Sequence, residues 1–381
     1  MKLKNNLLPI FILAAFLLVN QQGFAQNPNF HIYLCFGQSN MEGQGTIEAQ
    51  DKTVNSRFKV MQAVNCSNIG RTKGKWYTAV PPLCRCWSKL SPADYFGRTM
   101  IENLPDSINV GVINVSIAGC KIELFDKVNY QTYVSSVTEQ WLKDIIKEYN
   151  GNPYAHLVEL AKLAQKDGVI KGILLHQGES NTNDSQWPSK VKAIYNNLIT
   201  DLGLNPDSVP LLAGEVVHAD QGGICASMNT IIARLPQTLP NSYVISSSQC
   251  ADATDNLHFN SAGYRELGKR YARKMLSIMG IVPTAVQEFQ LNETDRYKLE
   301  QNYPNPFSGK TVISFRIPEN SFVSLKVYNM LGIEIAELTG KRFESGSHSV
   351  EFDSGKLPKG KYFYRIEGSN FIATRGMTVI E

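Results

Sequence analysis

Short apolar runs alternate with helix-like segments between residues 30 and 281 of the chain. The apolar runs predict strands at residues 31–36, 110–116, 170–176, 211–217 and 243–247. The helix-like segments predict helices at residues 137–149, 155–166, 189–202, 225–234 and 261–278. Strands that are apolar along their whole length are typical of a parallel sheet that helices cover on both faces. The pattern therefore predicts an α/β fold with three layers.

One long stretch of this region departs from the pattern. Residues 51–99 have no clear periodicity, and they contain Pro81, Pro82, Pro92 and three of the seven cysteines. In parallel sheets the reactive groups gather beyond the carboxyl ends of the strands. We interpret residues 51–99 as a long insertion that walls a site at this edge of the sheet.

The pattern changes again after residue 281. Residues 282–298 are mostly polar and predict a linker. Beyond the linker, apolar and polar residues largely alternate at positions 312–317, 323–328, 348–352 and 362–366, with glycine and proline between these runs. Because a period of two is typical of half-buried strands, residues 299–381 predict a small all-β sandwich.

The first 25 residues predict a secretory signal peptide. Lys2 and Lys4 precede an apolar core at residues 7–19, and small residues at positions 23 and 25 allow cleavage after Ala25. The alternative is an uncleaved membrane anchor. It is disfavoured because the apolar core is shorter than the ~20 residues that a spanning helix needs. We expect a domain at residues 26–281 and no stable membrane span.

Composition and charge describe an ordinary globular protein, with 43% hydrophobic and 19% charged residues. Without the signal peptide, 36 of the 38 basic residues remain against 34 acidic ones. This balance gives no basic surplus of the kind that nucleic-acid binding uses, so we expect no nucleic-acid partner.

Seven cysteines follow the predicted signal peptide, and an odd number leaves at least one thiol free. Export permits disulfides, and the plausible bridges are Cys66 with Cys84 or Cys86, and Cys225 with Cys250. No cluster of cysteine and histidine has the spacing of a zinc site. We therefore expect no metal and no cofactor.

The run Gly37-Gln38-Ser39-Asn40-Met41 ends the first predicted strand abruptly. A serine at a strand end is well placed as a nucleophile, but its hydroxyl reacts slowly unless a base lies beside it. Asp255 and His258 supply a carboxylate and an imidazole late in the same region. Together these residues predict a hydrolase with a Ser-His-Asp triad.

Two further strand ends complete the chemical case. Acyl transfer also needs donors aimed at the developing oxyanion, and the Gly119 N–H and the Gln177 amide lie at the ends of predicted strands. Glu179 is an alternative acid for His258, and His176 is as easily a structural histidine as a site residue. The tryptophans are expected in the core, although each is able to stack on a sugar ring: Trp76, Trp87, Trp141 and Trp187.

Residues 30–280 resemble the sialate O-acetylesterase/acetylxylan esterase group of carbohydrate esterases in the SGNH hydrolase superfamily. The Gly-Gln-Ser-Asn-Met run and the run His176-Gln177-Gly178-Glu179-Ser180 carry the resemblance. It implies an SGNH-like fold and a catalytic triad of Ser39, Asp255 and His258. It also implies oxyanion donors from the Ser39 N–H, the Gly119 N–H and Gln177, with Gln38, Asn40, His176 and Glu179 in support. The chain departs from the group at Cys120, where a glycine or serine is common.

Residues 299–381 resemble the type A C-terminal sorting domain of type IX secretion substrates. The resemblance rests on the run from Leu299 to Phe307, on residues 327–332 and on residues 360–364. It implies the secretion machinery as a partner. It also implies export through the periplasm and outer membrane, to a secreted or cell-surface location.

The sequence thus favours a secreted serine carbohydrate esterase that removes O-acetyl groups from glycans of the sialic acid or xylan type. Acetylated carbohydrate is then the expected substrate. Two alternatives stay open: another short-chain ester hydrolase on the same scaffold, and a non-catalytic secreted carbohydrate-binding protein.

Overall fold

A computed structural model describes residues 26–281 and 297–380, apart from residues 318–319, 331, 356 and 369–370. The chain divides into two compact units, Met1–Thr284 and Ala285–Glu381. The predicted signal peptide and nearly all of the predicted linker lie outside the described residues. No helix in the described ranges is long and apolar enough to cross a membrane.

The first unit is built on a seven-stranded sheet. Its strands are β1 (Asn27–Gly37), β2 (Phe58–Met61), β3 (Trp76–Thr78), β4 (Asn109–Ser116), β5 (Gly168–His176), β6 (Leu211–Gly214) and β7 (Ser242–Ile245). The strand order is β3-β2-β4-β1-β5-β6-β7, and every neighbouring pair is parallel except the edge pair β2 and β3. The predicted parallel sheet is confirmed, and β1 lies at its centre.

Helices cover both faces of this sheet. They are α1 (Ser39–Glu42), α2 (Pro92–Asn103), α3 (Tyr130–Ser136), α4 (Gln140–Glu148), α5 (Pro153–Ala164), α6 (Trp187–Leu202), α7 (Met228–Ile232), α8 (Leu235–Thr238) and α9 (Ser261–Ile278). Alternate residues of β1 enter two different cores. Leu34 and Phe36 pack with α5 and α6, whereas Tyr33 and Cys35 pack with α2 and α9. The predicted three-layer α/β fold is therefore confirmed.

The interpretation of residues 51–99 as a wall of the site is wrong. They form β2, β3 and the first part of α2, which widen the sheet and cover one face of it. Their burial follows no single period because the stretch contains two short strands and a helix start.

One predicted disulfide is present, between Cys66 and Cys86. The predicted bridge between Cys225 and Cys250 is wrong, since both thiols are free.

Asp94 lies wholly inside the first unit, in the first turn of α2. Its Oδ2 accepts hydrogen bonds from the backbone N–H and the hydroxyl of Ser91, at 2.9 and 3.0 Å. Its Oδ1 is buried and has no hydrogen-bond partner among the described residues. Burial raises the pKa of Asp94 to about 7, although the Ser91 hydrogen bonds oppose the rise.

We expect this carboxyl to make folding less stable as the pH rises from about 4 to about 7. In that window the folded state holds a proton that the unfolded chain has released, so stability falls by up to about 1.4 kcal/mol per pH unit. Asp94→Asn keeps one acceptor oxygen for the two Ser91 hydrogen bonds and cannot ionise, so the variant is expected to lack this dependence. Urea midpoints of both proteins at pH 5 and pH 8 test the prediction. An equal change in the two proteins would contradict it.

The second unit is an all-β sandwich, as predicted. Its strands are β8 (Lys298–Leu299), β9 (Lys310–Ile317), β10 (Ser321–Tyr328), β11 (Glu334–Phe343), β12 (Gly346–Asp353), β13 (Gly360–Gly368) and β14 (Phe371–Val379). They form a sheet in the order β11-β10-β13-β14 and a second in the order β12-β9-β8. Apolar residues of both sheets share one core, including Phe315, Leu325 and Tyr364. The sequence pattern missed β8, β11 and β14.

Candidate active site

Ser39 stands at the carboxyl end of the central strand. Gly37 has a φ of +149°, and a Cβ atom on it would lie 2.1 Å from the carbonyl oxygen of His176 on the neighbouring strand β5. Only glycine fits this close approach. The Gln38 N–H then donates to the same His176 carbonyl at 3.0 Å, which turns the chain off the strand and into α1. The local backbone thus sets the position of Ser39.

His258 reaches Ser39 from the loop between β7 and α9. Its Nε2 lies 2.9 Å from Ser39 Oγ, and its Nδ1 lies 2.7 Å from Asp255 Oδ2. The other Asp255 oxygen accepts the backbone N–H groups of Leu257 and His258 at 3.0 and 2.9 Å. Partial burial raises the pKa of Asp255, but these hydrogen bonds outweigh it and hold the pKa below its ordinary value. The structure brings the three predicted triad residues together.

Asn40 holds the histidine loop against the serine helix. Its Nδ2 donates to the Leu257 carbonyl at 3.1 Å and its Oδ1 accepts the Phe259 N–H at 3.4 Å, so it contacts both neighbours of His258. Tyr264 of α9 also donates to this Oδ1, at 2.6 Å. Asn40 therefore links the two loops that carry the serine and the imidazole.

Glu179 lies beneath the site and makes no hydrogen bond with His258. Its Oε1 accepts from Asn40 Nδ2 and lies 3.7 Å from His176 Nε2. Burial raises the pKa of Glu179, although Asn40 opposes the rise. Burial lowers the pKa of His176 to about 3, so its imidazole is neutral. Glu179 and His176 form a buried support under the loops.

Gln177 does not reach the site as an oxyanion donor. Its side chain is buried, its Nε2 donates to Gln38, Cys120 and Asn181, and its Oε1 accepts from Trp187 Nε1. Gln38, unlike Gln177, lines the cavity that contains Ser39. Gln38 Oε1 accepts from Gln177 Nε2 and from the backbone N–H groups of Gly178 and Ser180. The Nε2 group of the same Gln38 amide donates to no acceptor among the described residues.

Gly119 packs against the Trp141 ring, a contact that the sequence did not reveal. Its φ is +72°, and a Cβ atom on it would lie 2.5 Å from the indole ring of Trp141. The N–H groups of Ser39 and Gly119 donate to no acceptor in the part of the chain that the structure describes, and both residues line the cavity. Two backbone donors are therefore available beside the Ser39 hydroxyl.

Glu42 joins the serine helix to the Gly119 loop. It is buried at the end of α1; its Oε2 accepts the Ala118 N–H at 2.6 Å and its Oε1 accepts Arg85 Nε at 2.7 Å. Arg85 also pairs with Glu148 on its solvent side, at 2.9 Å, and it precedes the disulfide-bonded Cys86. Residues 51–99 thus support the site from behind, through Arg85.

Replacement of Glu42 with glutamine is expected to lower kcat for ester hydrolysis by about tenfold to a hundredfold, with little change in KM. Glutamine has one acceptor oxygen, so either the Ala118 N–H or Arg85 loses its bond and the Gly119 loop shifts. Steady-state kinetics on p-nitrophenyl acetate measure the effect. Glu148→Gln is the matched control, because it removes only the outer pair of Arg85. Equal kinetics of the two variants would contradict the role given to Glu42.

A cavity of about 500 Å³ opens above Ser39 and His258. Sequence reasoning missed several of its other lining residues: Gln44, Ala118, Trp141, Ile224, Cys225 and Leu257. The expected core position is wrong for Trp87 and Trp141, which are 76% and 52% exposed, whereas Trp187 is fully buried. No group of three or more His, Cys, Asp or Glu side chains in the described ranges has a metal-binding arrangement.

Two family models match the chain. Residues 29–277 match the carbohydrate esterase, sialic acid-specific acetylesterase family. Residues 301–380 match the secretion system C-terminal sorting domain. A sorting domain of this kind belongs to proteins that are secreted or displayed on the cell surface, so the predicted export is confirmed.

Several solved structures are similar to the chain. A protein from Arabidopsis thaliana is 20% identical with a TM-score of 0.51, and the match covers 66% of this chain and 99% of that one. A carbohydrate acetylesterase from Xanthomonas citri is 15% identical with a TM-score of 0.48, covering 87% and 74%. NanS is 16% identical with a TM-score of 0.48, covering 66% and 98%. At these identities the likeness concerns the fold alone. The family match spans well over half of the chain, and the protein therefore belongs to the sialic acid-specific acetylesterase family of carbohydrate esterases.

Proposed function

We propose that this protein is a secreted serine esterase that removes O-acetyl groups from carbohydrate through an acetyl-enzyme intermediate. The observation that carries the proposal is the chain of contacts from Ser39 Oγ through both nitrogens of His258 to Asp255, at 2.9 and 2.7 Å. Family membership supports ester hydrolysis as the reaction and carbohydrate as the substrate class.

In the first step, Ser39 Oγ attacks the carbonyl carbon of the acetyl group and its proton passes to His258 Nε2. Asp255 accepts the Nδ1–H of His258, which leaves Nε2 unprotonated before the attack. The same carboxylate then stabilises the imidazolium that the attack creates. Because its other oxygen is held by two N–H groups of its own loop, Asp255 is already oriented before substrate binds.

The negative charge that develops on the carbonyl oxygen needs donors that are in place before the reaction. We assign this task to the Ser39 and Gly119 N–H groups, which have no other acceptor among the described residues. Gln38 Nε2 is the side-chain donor that we add to them in place of Gln177. The three hydrogen bonds on Gln38 Oε1 fix the orientation of this amide.

The tetrahedral intermediate then breaks its bond to the sugar oxygen, which takes the proton from His258 and leaves as an alcohol. Water attacks the acetyl-enzyme in the second half of the reaction. Its proton passes to His258, the bond from carbon to Ser39 Oγ breaks, and acetate leaves while the serine regains its proton. The cavity above Ser39 is large enough for a sugar residue as well as the acetyl group.

The proposal is tested by acetate release from acetylated xylan and from O-acetylated sialic acid, with p-nitrophenyl acetate as a general ester. Release from either carbohydrate is the expected result. Turnover of p-nitrophenyl acetate alone would instead favour the alternative of a short-chain ester hydrolase. Carbohydrate binding without any ester hydrolysis would favour a non-catalytic binding protein and overturn the proposal.

A further inference from the structure

A second cavity lies directly beside the one that contains Ser39. It has a volume of about 430 Å³ and is formed by the residues between α3 and α4 and by the loop after Gly119. Lys121, Tyr133 and Glu139 line it. Gly119, Trp141 and Ser180 line both cavities, so a molecule that extends from one to the other crosses these three residues.

Trp141 forms the boundary between the two cavities. Half of its surface is exposed, and its indole edge packs directly on the Cα of Gly119, one of the proposed oxyanion donors. The ring therefore lies directly beside one of the donors proposed for the reacting carbonyl. Beneath it, the Ser180 hydroxyl donates to the Gly119 carbonyl at 3.0 Å. A half-exposed indole ring at this position is well suited to stack on the apolar face of a sugar ring.

One positively and one negatively charged side chain line the second cavity, and both are able to form hydrogen bonds with sugar hydroxyl groups. The Lys121 ammonium has no ion-pair partner among the described residues, and its backbone N–H donates to the Tyr133 hydroxyl at 3.1 Å. The Glu139 carboxylate lines the same cavity. One ammonium and one carboxylate leave no net charge, and they offer both donors and acceptors to hydroxyl groups. This combination matches a neutral sugar better than an anionic one.

We propose that the second cavity binds a neutral sugar residue covalently linked to the acetylated one, with Trp141 stacked against the bound chain. The substrate is then an acetylated oligosaccharide or polysaccharide with uncharged residues, rather than an acetylated monosaccharide. The inference rests on the proposed function, because it places the acetylated residue in the cavity above Ser39. The volume of the second cavity lies within the range of small-molecule sites.

The test compares kcat/KM for acetylated xylotetraose with kcat/KM for a singly acetylated methyl xyloside. The wild-type protein is expected to prefer the longer substrate. Trp141→Ala is expected to reduce the ratio of the two values by about three- to tenfold, as the loss of one aromatic stacking contact does. Trp87→Ala is the matched control, because Trp87 is also exposed but lines neither cavity, and its ratio is expected to stay unchanged.

Lys121→Met provides a second variant that leaves the packing on Gly119 intact. It is expected to raise KM for acetylated xylotetraose and to change KM for the xyloside less. A wild-type ratio near one, or equal ratios in the wild type and the Trp141 variant, would overturn the inference while ester hydrolysis itself still stood. If Lys121→Met instead impairs only O-acetylated sialosides, the cavity binds an anionic sugar and the inference is wrong. Absence of ester hydrolysis in the wild type would contradict the proposed function itself.

Discussion

Ser39→Ala is expected to lower kcat for p-nitrophenyl acetate by about four to six orders of magnitude while the protein stays folded. The hydroxyl is the atom that lies 2.9 Å from His258 Nε2, and alanine leaves the imidazole without a proton to accept. Ser39 is almost fully buried, and alanine is smaller, so the change introduces no steric conflict.

Kinetics and thermal unfolding of the same preparations check this prediction. A fluorophosphonate probe gives an independent measurement, since it is expected to label the wild-type protein at Ser39 and to leave the alanine variant unlabelled. Hydrolysis by the variant at a rate near that of the wild type would exclude Ser39 as the nucleophile.

Asp255→Asn is expected to lower kcat by about 10³- to 10⁴-fold. The asparagine oxygen keeps the backbone hydrogen bonds of the loop, but its NH₂ group faces His258 Nδ1 and favours the wrong tautomer of the imidazole. The lost carboxylate also no longer stabilises the imidazolium. The variant is therefore expected to fold normally and to bind substrate with little change.

Glu179→Gln is the matched comparison, because it neutralises the other carboxylate near the site. It is expected to lower kcat by only about tenfold to a hundredfold, since Glu179 contacts Asn40 and lies near His176 rather than bonding to His258. Measuring both variants under the same conditions decides between the two acids. A larger loss in the Glu179 variant would assign it, and not Asp255, as the acid of the triad.

The sequence was sufficient for the features that depend on local patterns. Apolar runs located five strands of the first sheet, β1, β4, β5, β6 and β7, but not β2 and β3, and alternation located four strands of the sandwich. The spacing of Asp255 and His258 placed a carboxylate within reach of an imidazole on one loop, and the structure has them 2.7 Å apart. These features need no knowledge of which elements lie side by side.

The features that failed depend on contacts between distant parts of the chain. Gln177 was expected at the site, yet the Trp187 indole and the Gln38 amide hold it behind the cavity. Trp141 was expected in the core, because nothing in α4 reveals that its ring packs on Gly119. Cys225 was expected in a disulfide, but it lines the cavity as a free thiol.

The separation of Ser39 and His258 by 219 positions along the chain has a consequence for export. The two residues meet only when the central strand and α9 have both packed, with Asn40 joining their loops. Under the proposed mechanism, a chain that has not yet folded lacks the assembled triad and is expected to hydrolyse no ester. If the proposed esterase activity is measured, acetyl-ester turnover therefore reports on how much of the protein has completed the tertiary folding of its first unit.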